Sequence, residues 1–78
     1  MKSVKLIIYG QVQGVGFRYW VRGKFRELGI TGEVWNNDDG TVGVEFQSKM
    51  EGSDPSIKLI GLLRQGSPLA RVKKVVIL

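Results

Sequence analysis

A glycine-rich segment, residues 10–18 with the sequence GQVQGVGFR, joins an apolar stretch typical of a strand to a stretch with helical spacing of apolar residues. Glycine adopts positive-φ conformations that turn successive backbone N–H groups toward one point. A helix that begins near Gly16 adds its own unpaired N–H groups and the positive end of its dipole. Arg18, in the first helical turn, adds a planar guanidinium group suited to phosphate. The segment therefore indicates either a phosphate-binding loop or a tight turn in which the glycines only permit close packing.

The glycine spacing differs from those of the common nucleotide-binding motifs. A Walker loop requires Gly-Lys followed by Ser or Thr, whereas the Gly-Lys pair at positions 23–24 precedes Phe25. The glycines at positions 10, 14 and 16 do not fit the dinucleotide fingerprint either. We therefore expect a small phosphorylated ligand.

The composition limits the chemistry that the chain can perform. Its 78 residues, 42% of them apolar, are enough for one small folded domain, which we expect to span residues 1–78. It contains no histidine and no cysteine, which excludes disulfides, thiol nucleophiles, imidazole bases and the usual zinc ligands. Any catalysis must therefore use arginine, backbone amides, carboxylates or water.

The net charge of +5 favours acidic or phosphorylated partners only in a general way, because the Lys and Arg residues are scattered along the chain. The apolar run at positions 4–9 is too short for a signal peptide or a membrane span. We expect a cytoplasmic protein that does not bind membranes.

Apolar periodicity predicts six elements. Positions 4–9 are typical of a strand, and apolar residues at helical spacing from Phe17 to Leu28 predict a helix that ends at Gly29. Two strands at 30–36 and 41–47 follow, joined by a hairpin turn at 37–40. Their predicted inward-facing residues are Val34, Val42, Val44 and Phe46.

The rest of the chain predicts a second helix and a last strand. Asp54 is the expected N-cap and Pro55 the first helical residue, followed by Ile57, Ile60 and Leu63 at helical spacing. This helix is expected to stop at residue 66, and a strand over 70–78 follows. The order is βαββαβ, which predicts an α+β ferredoxin-like sandwich, an antiparallel sheet with two helices on one face.

The hairpin turn is not a calcium loop. Ligand spacing would place Trp35 and Phe46 at ligand positions, and neither side chain binds calcium. Asp38 and Asp39 are best explained as turn residues rather than an acid/base pair. Asn36 lies on the same predicted face as Val34, where a buried amide could orient water, although the local pattern by itself favours a role in capping the turn.

Two motifs together resemble the signatures of the acylphosphatase family. They are GQVQGVGFR at 10–18 and GEVWNNDDGTV at 32–42, and the tail GSPLARV at 66–72 is also similar. The resemblance covers nearly the whole chain and implies the ferredoxin-like fold. It differs at Glu33, where the family usually has an aromatic residue, and at Trp35, where a basic or polar residue is usual.

The resemblance implies hydrolysis of acyl phosphates to a carboxylate and inorganic phosphate without a metal or a cofactor. The short chain favours a monomer. Arg18 would hold the phosphate and Asn36 would position the attacking water. Backbone amides would surround the phosphate, and they belong to Gln13, Gly14, Val15, Gly16, Phe17 and Arg18. The substrate is then a small molecule and not a nucleic acid.

Two other functions remain possible on the same fold. Residues 13–20 partly resemble the signature of the RNA-recognition motif, but that signature lies on the third strand and has an aromatic residue where this chain has Val15. A regulatory or protein-binding domain without catalysis is the other alternative. Phosphate release from an acyl phosphate would separate both from an enzyme.

Overall fold

The computed structural model describes residues 2–48 and 55–78. Within these residues the element order is β1, α1, β2, β3, α2, β4, as the sequence predicts. The bounds are β1 (Lys2–Gln11), α1 (Phe17–Leu28), β2 (Gly32–Asn36), β3 (Val42–Ser48), α2 (Pro55–Gln65) and β4 (Arg71–Ile77). The expected N-cap of α2, Asp54, lies outside the described residues.

The strands form one antiparallel sheet in the order β2-β3-β1-β4. Strand β1 is central and pairs with β3 on one side and β4 on the other. Strands β2 and β4 are therefore the edges. This arrangement confirms the predicted ferredoxin-like sandwich.

A single core joins one face of the sheet to both helices. It consists of buried residues from β1, β2 and β3, from the loop after β1, from both helices and from the turn before β4. The four predicted inward-facing residues, Val34, Val42, Val44 and Phe46, are all buried. Alternating side chains of the strands thus point at the helices, and burying them stabilises the sandwich.

Helix α1 has the predicted end at Gly29. This residue is in the left-handed conformation, and its N–H donates to the carbonyl of Arg26. The N–H of Ile30 donates to the carbonyl of Phe25 at 2.8 Å, which completes a Schellman-type cap. Because Ile30 serves the cap, β2 begins at Gly32 and not at position 30 as the sequence predicts.

Helix α2 packs on the core with Ile60 and Leu63 as predicted, but not with Ile57. Its buried residues are Ser56, Leu59 and Leu63, which follow helical spacing, and Ile60 is half-buried beside them. Ile57, predicted among the apolar face of this helix, is 71% exposed because it lies about 100° around the helix from Ser56. No helix among residues 2–48 and 55–78 is long and apolar enough to cross a membrane.

Candidate active site

The loop between β1 and α1 has the backbone conformation that its glycines predict. Gly14 and Gly16 have φ angles of 73° and 74°, in the left-handed region. A Cβ at either position would meet no atom within 4 Å, so the backbone angle and not crowding requires glycine there. The loop therefore uses its glycines for conformation, as a phosphate-binding loop would.

The N-terminus of α1 presents backbone donors without a side-chain cap. Gly16 is the N-cap residue and provides no side-chain hydrogen bond. The first helical hydrogen bond runs from the N–H of Trp20 to the carbonyl of Gly16 at 3.0 Å. The N–H groups of Phe17, Arg18 and Tyr19 precede this bond, so they have no acceptor within the helix. Such a helix end favours an anion.

A depression of about 180 Å³ lies over this helix end. It brings Arg18 of the first motif together with Asn36 of the second, so the two predicted catalytic residues share one site. The lining residues are Val12, Gly14, Gly16, Phe17, Arg18, Tyr19, Arg22 and Asn36. A larger depression of about 330 Å³ beside β4 is lined by none of the predicted site residues.

The depression is positively charged. Arg18 and Arg22 line it together with no acidic residue. Neither arginine makes a hydrogen bond or ion pair with any other residue in the part of the chain that the structure describes. Both guanidinium groups are exposed and have all their donors available to a ligand.

Gln13 and Val15, unlike the other predicted site residues, do not line the depression. The half-buried side chain of Gln13 donates from Nε2 to the carbonyl oxygens of Asn37 (2.7 Å) and Thr41 (2.9 Å). Val15 is half-buried and packs against the core. Neither residue lines the depression, so a contact between their backbone amides and a ligand stays a prediction.

Asn36 is exposed, and the expectation of a buried amide is wrong. Asn36 is the last residue of β2. It faces the open depression at the start of α1 and is not covered by packed side chains. Its side chain makes no hydrogen bond to the described residues. The Asn36 amide is therefore available to a ligand or a water molecule.

Other residues hold the hairpin turn together. Asn37 accepts a hydrogen bond from Trp35 Nε1 at Oδ1 (3.0 Å) and donates from Nδ2 to Thr41 Oγ1 (3.0 Å). Asp39 Oδ1 accepts from the hydroxyl and the backbone N–H of Thr41, at 2.6 and 3.0 Å. The turn-capping role that the sequence left open for Asn36 is thus filled by Asn37 and Asp39.

Asp39 is not suited to act as a general acid. The hydrogen bonds from the Thr41 hydroxyl and then from its N–H lower the pKa of Asp39, which keeps this carboxyl ionised. A general acid needs the opposite shift. Among residues 2–48 and 55–78, no group of three or more His, Cys, Asp or Glu residues could hold a metal ion.

Sequence analysis missed three residues of the depression, Val12, Tyr19 and Arg22. Arg22 follows Arg18 by four positions, so the helical periodicity places both on one face of α1. This spacing is a signal that would have identified Arg22. Tyr19 is 74% exposed and lies at the rim.

The fold and motifs agree with comparisons to known proteins. The acylphosphatase family model matches residues 4–77. An acylphosphatase of Thermococcus kodakarensis is 47% identical over 78 aligned positions, which cover 96% of this chain and 81% of that protein. One of Lactococcus lactis is 61% identical over 51 residues, which cover 65% of this chain and about half, 53%, of that protein.

Solved structures agree as well. The crystal structure of acylphosphatase from Bacillus subtilis is similar with a TM-score of 0.84 and 32% identity, covering all of this chain and 83% of that one. A structure of an acylphosphatase from Coxiella burnetii has a TM-score of 0.82 and 32% identity, covering 97% of this chain and 77% of that one. Because the family model spans almost all of its residues, this chain belongs to the acylphosphatase family.

Proposed function

We propose that this chain hydrolyses acyl phosphates to a carboxylate and inorganic phosphate, with Arg18 and the amides of residues 13–18 holding the phosphoryl group and Asn36 placing the attacking water. Membership of the acylphosphatase family supports the reaction. The observation that best supports the residue roles is that Arg18, Asn36 and the left-handed glycines of the loop line one depression.

The phosphoryl group binds at the N-terminus of α1. Its oxygens accept hydrogen bonds from the unpaired N–H groups of the helix end and from the guanidinium fork of Arg18. During transfer the negative charge spreads over the three equatorial oxygens of the phosphoryl group. Donors fixed before the reaction stabilise that charge without having to reorganise, which is how the loop and Arg18 lower the barrier.

Asn36 acts on the water from the strand beside the loop. Its amide has both a carbonyl acceptor and N–H donors, so it can orient a water molecule toward the phosphorus atom. The amide is neutral and does not act as a base. The water oxygen forms a new bond to phosphorus, and the proton of the water passes to a phosphoryl oxygen of the substrate itself. The bond between phosphorus and the bridging acyl oxygen breaks, and its electrons stay on the departing carboxylate.

The leaving group explains how a site without histidine can suffice. A carboxylic acid has a pKa of about 4, so the departing carboxylate needs no protonation at neutral pH. The protein then has to supply position and charge stabilisation, which the depression offers. These are the contributions that arginine, amides and water can make.

The proposal includes a cytoplasmic, single-domain monomer that acts on small molecules and not on nucleic acid. An interaction with nucleic acid is disfavoured because the glycine-rich segment follows β1, whereas the similar signature of the RNA-recognition motif lies on the third strand.

The direct test is phosphate release from acetyl phosphate and benzoyl phosphate in the presence of a chelator. The wild-type chain should release phosphate well above buffer, with inorganic phosphate as an inhibitor. Asn36→Ala should lower kcat by about a hundredfold, because the water loses its orientation. Gln65→Ala, which removes an exposed amide at the end of α2, is the matched control. Wild-type rates no higher than buffer would refute the activity, and full activity of Asn36→Ala would refute the role of Asn36.

A further inference from the structure

We infer that Arg22 makes this site selective for acyl phosphates whose acyl group carries a second negative charge. The inference rests on the proposed function, because it assigns the substrate class of that same site. It concerns the acyl part of the ligand, beyond the phosphoryl group that Arg18 and the loop amides hold.

Arg22 lies on the same face of α1 as Arg18, one turn further from the loop. Four residues along a helix correspond to about 6 Å of rise. Both side chains line the depression of about 180 Å³. A phosphoryl group held by Arg18 and the helix N-terminus therefore leaves Arg22 beside the rest of the substrate and not at the transferred group.

A second depression, of about 340 Å³, shares Arg22 with the first. Its lining residues are Arg22, Gly32, Glu33, Val34 and Trp35. Arg22 lines both depressions, so it stands where an acyl group leaving the phosphate site would pass toward β2. Strand β2 is an edge of the sheet and presents unpaired backbone groups there, which can add hydrogen bonds to a polar acyl group.

The charge of Arg22 is not used inside the described part of the protein. The ion pair on α1 joins Lys24 to Glu27 at 3.1 Å, and Arg22 has neither an ion pair nor a hydrogen bond with residues 2–48 or 55–78. Glu33 is the acidic residue that lines the second depression. Its side chain points to the opposite face of β2 from the buried Val34, because strand side chains alternate, and so away from α1.

An exposed arginine on a helix is often only a solvated charge, and Arg26 provides the comparison. Arg26 is exposed on the same helix one turn after Arg22, but it lines neither depression. Arg22 and Arg26 therefore differ in that only Arg22 lines the two depressions. A guanidinium fork with free donors binds a carboxylate through two parallel hydrogen bonds, whereas a methyl group in that place gains nothing from it.

The test compares benzoyl phosphates that carry either a charged or an uncharged substituent at the same ring position. The substrates are 3- and 4-carboxybenzoyl phosphate, whose carboxylates cannot reach their own acyl phosphate, and the corresponding methylbenzoyl phosphates. Arg22→Ala should lower kcat/KM for the carboxylated substrates by about three- to tenfold, mainly through KM, and leave the methylated ones within about twofold. Arg22→Lys should retain part of the preference, and Arg26→Ala, which removes the same charge, should retain all of it.

Two kinetic outcomes would overturn the inference. An equal loss on both substrate types would show that Arg22 serves the phosphoryl group, and no loss on either would show that it is only solvated. Failure of the proposed function looks different, since no substrate would then be hydrolysed. In that case calorimetric binding of 4-carboxybenzylphosphonate and 4-methylbenzylphosphonate decides the question. Tighter binding of the carboxylated compound that Arg22→Ala abolishes supports the inference, and equal binding of both refutes it.

Discussion

The side-chain amide of Gln13 donates a 2.7 Å hydrogen bond to the backbone carbonyl of Asn37. A second bond, of 2.9 Å, runs from the same nitrogen to the carbonyl of Thr41. Gln13 belongs to the loop before α1, and the two acceptors belong to the hairpin turn that begins after Asn36. One side chain therefore ties together the two segments that carry Arg18 and Asn36.

Gln13→Met should disturb this link while keeping the length and packing of the side chain. The carbonyl oxygens of Asn37 and Thr41 would each lose one of two donors, because they also accept the N–H groups of Gly40 and Asn37. The loss of two hydrogen bonds should lower the free energy of unfolding by about 1–2 kcal/mol. If the link also holds Asn36 in register with the loop, kcat/KM should fall by about tenfold. Denaturant unfolding and steady-state kinetics measure the two effects, with the exposed Gln11→Met as control. A loss of stability with unchanged kcat/KM would show that the link does not position Asn36.

Gly16→Ala and Gly23→Ala should change stability in opposite directions. Gly16 has a left-handed φ of 74°, which costs an L-residue about 1–2 kcal/mol, so the substitution should destabilise by that amount. Gly23 lies inside α1 with open space around its Cβ position, and alanine should stabilise there by about 0.5–1 kcal/mol. Urea denaturation measures the free energy of unfolding of each variant. Equal effects would mean that the loop does not need a left-handed residue.

Much of this fold follows from local sequence. The apolar spacing from Phe17 to Leu28, with Gly29 after it, predicts a helix whose observed bounds and cap agree. Alternation from Val42 to Phe46 predicts a half-buried strand, and its inward residues are buried. These features depend on periodicity and caps, which a short stretch of chain encodes by itself.

Features that depend on how elements meet were not predictable. Asn36 alternates correctly with Val34, but its exposure depends on where α1 begins relative to the end of β2. Ile57 has helical spacing with Ile60, yet the orientation of α2 on the sheet selects Ser56 for the core. The apolar periodicity of one segment does not determine how that segment is placed against its neighbours.

The pKa of Asp39 should be lowered below the ordinary aspartate value of about 3.9, mainly by the hydrogen bond from the Thr41 hydroxyl. A folded-state pKa below the unfolded value stabilises the protein fully above about pH 4. That contribution is lost as the pH falls below 4 through the lowered pKa. Thr41→Val should move the pKa of Asp39 back toward its ordinary value. An NMR titration of the Asp39 carboxyl carbon checks this, and an ordinary pKa in the wild type would contradict it.

Trp35 packs directly on Gly43 across the β2–β3 pair, so a Cβ on Gly43 would overlap the indole ring. Gly43→Ala should therefore destabilise the protein by about 1–3 kcal/mol and weaken the 3.0 Å bond from Trp35 Nε1 to Asn37. Urea unfolding followed by tryptophan fluorescence measures this. In a Trp35→Ala background the same substitution should cost little, and additive effects of the two changes would contradict the packing explanation.

The most direct test of the account is the loss of Arg18 compared with the loss of Arg26, an exposed arginine on the same helix outside the site. With acetyl phosphate as substrate, Arg18→Ala should lower kcat/KM by about a hundredfold or more, because the phosphoryl group loses its charged donor. It should also weaken inhibition by inorganic phosphate, while Arg26→Ala stays within about twofold of wild type for both. A kcat/KM for Arg18→Ala equal to that of Arg26→Ala would contradict a phosphate site built on Arg18.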